Sequence, residues 1–161
     1  MKFNLLIILC GLCFGCKAQK NQIVEKIDLL NGSPLLVKLE KDADNNLFIS
    51  LFDNQNYLYE ASGIGNSEVI LKDKTHFLNP CEFIKNGLTE YYIETYDISS
   101  SYGANCIFII WFDGYYWRIT KSPFEKSIIK DTNKDKLFEI VSSGKKKGIM
   151  RFDNQQFIVT K

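Results

Sequence analysis

Few side chains of this chain are placed for catalysis. His76 is the only histidine, and no serine or cysteine in a nucleophile motif flanks it, so a surface or packing role explains it better than general-base chemistry. Glu90 and Glu139 could form the carboxylate pair of a glycoside hydrolase. They occupy the same position in two repeats of the chain, however, which gives a structural reason for both. The sequence therefore predicts a protein that is not an enzyme and has no catalytic residues.

The five cysteines fall into two groups. Cys10, Cys13 and Cys16 lie near the start of the chain, whereas Cys81 and Cys106 lie far from it. The lack of histidine partners argues against a zinc site. In an oxidising compartment, Cys81 and Cys106 could form a disulfide that closes a loop of about 25 residues. Since both flank apolar segments, two buried free thiols are the alternative.

The first 18 residues have the pattern of a signal peptide. Met1-Lys2 precedes an apolar run from Phe3 to Phe14, which is shorter than the roughly 20 residues needed to span a bilayer. Gly15-Cys16 resembles the end of a bacterial lipoprotein signal, in which case Cys16 carries lipid. Cleavage after Ala18 is the alternative. We therefore predict an exported protein of the cell envelope, anchored as a lipoprotein or otherwise periplasmic or secreted.

The charge balance restricts the kinds of partner. The chain has 20 Lys and Arg against 19 Asp and Glu, so no overall field favours nucleic acid. The membrane is expected as a partner through the lipid anchor only. The segment from Gly144 to Gly148, GKKKG, could contact phosphate or lipid headgroups, or it could be the charged tip of a hairpin.

Residues 19–161 read as one β-rich domain of three repeats, about 22–66, 67–122 and 123–161. Each repeat has a strand, a polar turn, a second strand that ends in Phe-Asp, a tight turn and a third strand. The second strands are LFISLFD, CIFIIWFD and IMRFD, which end at Asp53, Asp113 and Asp153. Further runs at 22–27, 68–72 and 127–130 could add a fourth strand to each repeat. No sizeable amphipathic helix is predicted after the signal helix, so the fold class is all-β.

The loop before the last repeat's first strand has a distinctive pattern. It reads D-x-N-x-D-x-x-x-E and is formed by Asp131, Asn133, Asp135 and Glu139. It resembles the FG-GAP or VCBS-type repeat of bacterial surface proteins and integrin propellers. That resemblance implies Ca²⁺ held by these four side chains, because Ca²⁺ prefers several oxygen ligands. The alternative is a solvated turn in which Asp and Asn accept hydrogen bonds from local backbone donors.

The same loop positions in the middle repeat are Glu82, Ile84, Asn86 and Glu90, with Gly87 at the family's glycine position. In the last repeat Lys136 replaces that glycine. We interpret the series as a repeat kept for its shape, with no cofactor unless Ca²⁺ binds the last loop.

Three repeats are fewer than the 4–8 blades of a closed propeller. We predict an incomplete, propeller-like stack of antiparallel sheets, with barrel-like closure or pairing of two copies as alternatives. The apolar run from Cys106 to Phe112 predicts a central strand that is buried on both faces.

The predicted function is binding of a protein or glycan partner. The turn from Ile98 to Asn105 is the largest insertion among the repeats, and inserted loops on rigid scaffolds often carry function. We therefore predict a binding loop that includes Ser101, Tyr102 and Asn105. A small envelope inhibitor or immunity-type protein that blocks an enzyme is the alternative.

Overall fold

The computed structural model describes residues 22–28, 34–53, 56–61, 67–71, 76–98 and 104–161. The predicted signal peptide and the predicted lipidation site Cys16 lie outside them, as do Ser101 and Tyr102 of the predicted binding loop. In the described part of the chain, no helix has the length and apolar character needed to cross a membrane.

The strands of the described ranges form three antiparallel sheets. The first sheet has the order β1-β2-β3-β4 and comprises β1 (Gln22–Asp28), β2 (Pro34–Lys41), β3 (Leu47–Asp53) and β4 (Asn56–Ala61). The second comprises β5 (Ser67–Val69), β6 (Asn79–Cys81), β7 (Glu90–Asp97), β8 (Asn105–Phe112) and β9 (Trp117–Lys121). The third has the order β10-β11-β12-β13 and comprises β10 (Ser127–Lys130), β11 (Glu139–Ser142), β12 (Ile149–Asp153) and β13 (Gln156–Thr160).

The predicted all-β class is confirmed, and each predicted meander corresponds to one sheet. The alternative of barrel-like closure is wrong for the described strands, since none of their three sheets closes on itself. The second sheet contains a strand that the sequence did not indicate. Its edge is shared by β5 and β6, which both pair with β7 at different heights. Strand β6 contains Pro80, a residue confined to edge strands because it lacks an amide donor.

The second sheet lies between the other two. Its strand β8 alternates between two buried clusters: Phe108 and Ile110 pack with the first sheet, whereas Ile107, Ile109 and Trp111 pack with the third. The prediction of a central strand buried on both faces is therefore confirmed. The physical reason is that a strand between two sheets has no solvent-facing side, so apolar residues occupy both of its faces.

The two clusters differ in their side chains. The cluster between the first and second sheets is mainly aliphatic, with Leu35, Val37, Ile49 and Leu51 fully buried. The cluster between the second and third sheets is rich in aromatic rings. Among its members are Phe83, Trp111, Phe124, Phe152 and Phe157.

Candidate binding cleft

His76 lies in the connection between β5 and β6 of the second sheet. Its Nδ1 is 3.6 Å from Oε2 of Glu25, and its side chain is largely exposed. The other oxygen of Glu25 accepts a hydrogen bond from the backbone N–H of Phe77. The contact between His76 and Glu25 therefore fastens the connection to β1, which agrees with a packing role for this histidine.

Glu90 and Glu139 each close the loop that precedes their own strand. Oε2 of Glu90 accepts hydrogen bonds from the backbone N–H groups of Phe83 and Ile84, at 3.0 and 3.2 Å. Oε2 of Glu139 accepts one from the N–H of Thr132, at 2.8 Å. Both side chains are buried. The structure thus gives the two carboxylates one shared structural role, as their repeated position indicated.

The two loops also share a turn. Gly87 and Lys136 occupy the same loop position and have φ values of 77° and 74°. The residue before each, Asn86 or Asp135, accepts a hydrogen bond from the N–H two residues further on, at 2.8 Å in both loops. Lys136 therefore adopts the left-handed conformation that glycine adopts without strain. The two loops therefore have the same turn, although one has glycine and the other lysine at this position.

The predicted calcium ligands of the last loop are engaged with the loop itself. Asp131 accepts hydrogen bonds from the N–H groups of Lys134 and Lys136, at 2.6 and 3.1 Å. The side-chain amide of Asn133 donates to Asp135 at 2.9 Å. No group of three or more His, Cys, Asp or Glu side chains in the described ranges could hold a metal ion. The arrangement does not fit a calcium cage and favours the solvated turn.

We expect Ca²⁺ and chelators to change the melting temperature by less than about 2 °C, because the loop is already closed by hydrogen bonds. A ligand that bound only the native state at 100 times its Kd would add about 2.7 kcal/mol and raise the melting temperature clearly. Differential scanning calorimetry gives the melting temperature in EDTA and in about 5 mM CaCl₂, which is roughly saturating for a calcium site of the extracellular type. A clear rise with Ca²⁺ that Asp131→Ala abolishes would contradict the expectation.

The disulfide between Cys81 and Cys106 is not formed, and both residues are free thiols. Cys81 pairs with Glu90 on β7, whereas Cys106 pairs with Thr95. Five residues along a strand span about 16 Å, but a disulfide needs Cα atoms within about 7 Å. The two side chains also pack with different buried clusters. Burial raises the pKa of Cys81 to about 12 and raises that of Cys106, so both thiols are poorly reactive at neutral pH.

A cleft lies beside the predicted binding loop. The N–H of Asp97 donates to the carbonyl of Ala104 at 2.9 Å, which closes the base of the loop. Next to this base are a cavity of about 440 Å³ and a neighbouring cavity of about 680 Å³, and both include Asp97, Ala104 and Glu125 in their walls. We call the two together the binding cleft. Its other lining residues include Thr95, Cys106, Lys121, Ser122, Lys126 and Lys145.

Asn105 forms part of the framework of this cleft. Its Nδ2 donates to Glu94 Oε1 at 2.7 Å and to the carbonyl of Ser127 at 2.9 Å. Its Oδ1 accepts from the N–H of Ser127 at 2.8 Å. These contacts join the second sheet to β10 and occupy both ends of the amide. Asn105 therefore lines the cleft and holds its wall in place, and its role as a binding residue stays a prediction.

The linker between the second and third sheets forms one rigid wall. The hydroxyl groups of Ser122 and Ser127 are 2.9 Å apart, and the N–H of Phe124 donates to Ser122 Oγ at 3.3 Å. The N–H of Ser143 also donates to the carbonyl of Lys126, at 2.9 Å. The linker is thus held at both ends. Sequence reasoning missed these residues, because nothing in a short linker indicates that it will line a cavity.

The cleft carries charges of both signs. Asp97 and Glu125 contribute carboxylates, while Lys121, Lys126 and Lys145 contribute ammonium groups. Lys145 of the GKKKG segment is therefore part of the cleft rim as well as of a hairpin tip. Such a surface can hydrogen-bond and pair ions with a polar partner.

The comparisons with known proteins yield no relatives. No family model, no curated protein sequence and no solved structure matches the chain.

Proposed function

We propose that this protein is a non-enzymatic binding protein of the cell envelope, which holds a protein or glycan partner in the binding cleft. The observation that carries the proposal is the position of the cleft at the base of the inserted loop. Two adjoining cavities of about 440 and 680 Å³ share Asp97 and Ala104, which lie on either side of this loop. Cavities of this size are typical of ligand sites.

The cleft wall combines apolar side chains such as Pro123 and Phe124 with polar groups, and the polar groups support a hydrophilic partner. Serine and threonine hydroxyl groups and charges of both signs line it, and these groups suit the hydroxyls of a glycan or the backbone and side chains of a peptide. The buried carboxylates elsewhere support a non-enzymatic role, since Glu90 and Glu139 are committed to closing their loops.

Export and anchoring are part of the same proposal and depend on the leader pattern of residues 1–18. A lipid on Cys16 would hold the domain at a membrane surface. We also propose that the repeats are a degenerate form of the FG-GAP or VCBS type. The turn shared by Gly87 and Lys136 supports this relationship.

The test compares capture of envelope components by cleft variants. Lys126→Glu combined with Lys145→Glu reverses two charges of the cleft, and we expect it to reduce retention of the captured partner about tenfold, or 1.4 kcal/mol. The matched control is Lys134→Glu with Lys136→Glu, which reverses two charges on the Asp131 loop. Quantitative mass spectrometry and glycan analysis of the retained material measure the effect. Equal retention by the cleft variant and the wild-type protein would count against the cleft.

A further inference from the structure

The turn between the second and third strands has the same length in all three repeats. The cross-strand pairs that flank it are Phe52 with Tyr57, Phe112 with Trp117, and Phe152 with Phe157. The four residues inside these pairs read Asp-Asn-Gln-Asn, Asp-Gly-Tyr-Tyr and Asp-Asn-Gln-Gln in chain order. Tyr115 and Tyr116 therefore take positions that hold glutamine or asparagine in the other two repeats. A turn of this length does not need aromatic side chains.

Both tyrosines of this turn project into solvent. Tyr115 is 84% exposed and Tyr116 is 60% exposed, the highest values for large apolar side chains in the described part of the chain. The next residue, Trp117, is buried, and its ring lies 5.6 Å from that of Phe112. The turn therefore has a base fixed in the core and two rings outside it. We call residues 113–118 the tyrosine tip.

Asp113 fixes the backbone of the tyrosine tip. Its Oδ1 accepts hydrogen bonds from the N–H groups of Tyr115 and Tyr116, at 2.8 and 2.7 Å. Its own N–H donates to the carbonyl of Tyr116 at 3.0 Å. The hydrogen bonds from these two amides and from Arg118 lower the pKa of Asp113, so the carboxylate is ionised at neutral pH. The two rings are thus carried on a backbone that is already ordered, which reduces the entropy lost on binding.

Arg118 completes the tip and balances its charge. Its Nε donates to Asp113 Oδ2 at 2.6 Å, and its guanidinium carbon lies 5.5 Å from the ring centre of Tyr116, within the range of a cation–π contact. The corresponding positions of the other repeats hold Leu58 and Ile158, so the arginine is also particular to this turn. Because Asp113 and Arg118 neutralise each other, the tip offers rings and hydrogen-bond donors without a net charge.

We propose that the tyrosine tip binds a neutral glycan built from β-linked glucose or N-acetylglucosamine, with sugar rings stacked on Tyr115 and Tyr116. The face of an aromatic ring is negative, and the C–H bonds of a sugar ring are weakly positive. In these two sugars every ring substituent is equatorial, so both faces of the ring present only C–H bonds. An uncharged tip suits an uncharged polymer, and the guanidinium of Arg118 supplies donors for its hydroxyl groups.

The tyrosine tip is separate from the binding cleft. The cleft includes Asn105 at the start of β8, whereas the tip follows Phe112 at the end of that strand. An extended strand rises about 3.4 Å per residue, so these two ends of β8 are roughly 24 Å apart. The proposal therefore concerns a second site and does not depend on the function proposed for the cleft.

The size and charge of the tip favour a glycan over a protein or a membrane. A stable protein interface covers about 800 Å² on each partner, whereas a buried aromatic side chain contributes roughly 150–250 Å². Two tyrosines therefore match the footprint of one or two sugar rings. Peripheral membrane binding also draws on lysines and arginines that attract anionic lipids, but the one arginine of the tip is paired with Asp113.

The test is titration of the full chain, as the cell matures it, with cellohexaose and with chitohexaose. A detergent without a sugar headgroup keeps any lipidated protein in solution, and NMR spectra of the backbone amides report the site. We expect at least one hexasaccharide to shift the amides of residues 113–118. No shift of these amides at about 5 mM of either sugar, where a site with a Kd of about 1 mM is mostly occupied, would overturn the proposal. Shifts confined to residues of the binding cleft would also overturn it, while supporting the cleft.

The other repeats supply the matched variant. Tyr115→Gln with Tyr116→Gln gives the tip the two residues that the third repeat has at these positions, so we expect an unchanged melting temperature. Affinity for the hexasaccharide should fall at least about tenfold, because both rings are lost. Tyr96→Gln removes a different exposed tyrosine, which is 41% exposed on β7, and should leave the affinity unchanged. Equal affinities of the tip variant and the wild-type protein would contradict the proposed site.

Two further measurements separate stacking from other modes of binding. Tyr115→Phe with Tyr116→Phe keeps both rings and should retain the affinity within about threefold. A loss as large as that of the glutamine variant would mean that the phenol hydroxyls, not the rings, hold the ligand. Sedimentation with vesicles of phosphatidylcholine and phosphatidylglycerol should not differ between the wild-type protein and the glutamine variant. Vesicle binding that the glutamine variant loses would overturn the glycan in favour of a membrane surface.

Discussion

Phe152→Ala should lower the free energy of unfolding by about 2–3 kcal/mol, somewhat less than the roughly 3–5 kcal/mol for a fully buried aromatic ring, because Phe152 is half-buried. The Phe152 ring lies 5.4 Å from that of Trp111 and 5.3 Å from that of Phe157, both in edge-on geometry. Because Trp111 belongs to the second sheet, the substitution weakens both the third sheet and its packing on the second. Chemical denaturation followed by tryptophan fluorescence measures the change.

The matched control for this loss is Val159→Ala. The side chain of Val159 is 53% exposed. Truncating an exposed valine should change stability by no more than about 0.5 kcal/mol. A similar loss from Phe152→Ala and Val159→Ala would mean that the aromatic cluster does not hold the third sheet.

Glu90→Ala should cost about 3–5 kcal/mol, because it leaves the buried N–H groups of Phe83 and Ile84 without their acceptor. Each unsatisfied buried donor costs about 1–3 kcal/mol, and the missing side chain adds a cavity. Glu139→Ala is the internal comparison. Its buried carboxylate accepts from the single amide of Thr132, which is an exposed residue, so we expect a loss of about 1–2 kcal/mol. Urea denaturation of the two variants measures the difference, and a larger loss for Glu139→Ala would contradict this account.

The pH dependence of Glu90 has a definite sign. Burial raises the pKa of Glu90 above its ordinary value of 4.5, and hydrogen bonds from Phe83 and Ile84 oppose that rise. The native state therefore binds the proton more tightly than the unfolded chain does. The stability from this group is fully present below pH 4.5 and is lost as the pH rises through the folded pKa. Glu90→Gln should remove this decline, as measured by denaturation at a series of pH values from 4.5 upward. If stability still falls with rising pH in Glu90→Gln, groups other than Glu90 cause the fall.

The sequence by itself determined the local structure, because that information lies in neighbouring residues. Alternation of apolar and polar side chains defined β2, and the Phe-Asp endings aligned the second strands of all three repeats. The unbroken apolar run of β8 already implied a strand covered on both faces. Tight turns followed from short polar segments such as Asn154-Gln155, where both residues have positive φ.

The loop before the last repeat marks the limit of sequence reasoning about sites. Its pattern of acids predicted the turn correctly, because Asp and Asn accept hydrogen bonds from nearby backbone amides. The same acids suit a calcium site, and only the three-dimensional arrangement distinguishes the two outcomes. Asp131 accepts from the amides of Lys134 and Lys136, a set of contacts that depends on the backbone conformation of the loop.

Only the tertiary structure decided what the sheets bring together. Register along β7 separates Cys81 from Cys106, although spacing in the sequence permitted a disulfide. The binding cleft combines Asp97, Glu125 and Lys145, which come from segments far apart in the chain. Contacts of this kind arise when sheets stack, and stacking depends on faces whose apolar residues look alike in the sequence. Local pattern determines which side of a strand is buried, whereas the packing of whole sheets determines what lies against it.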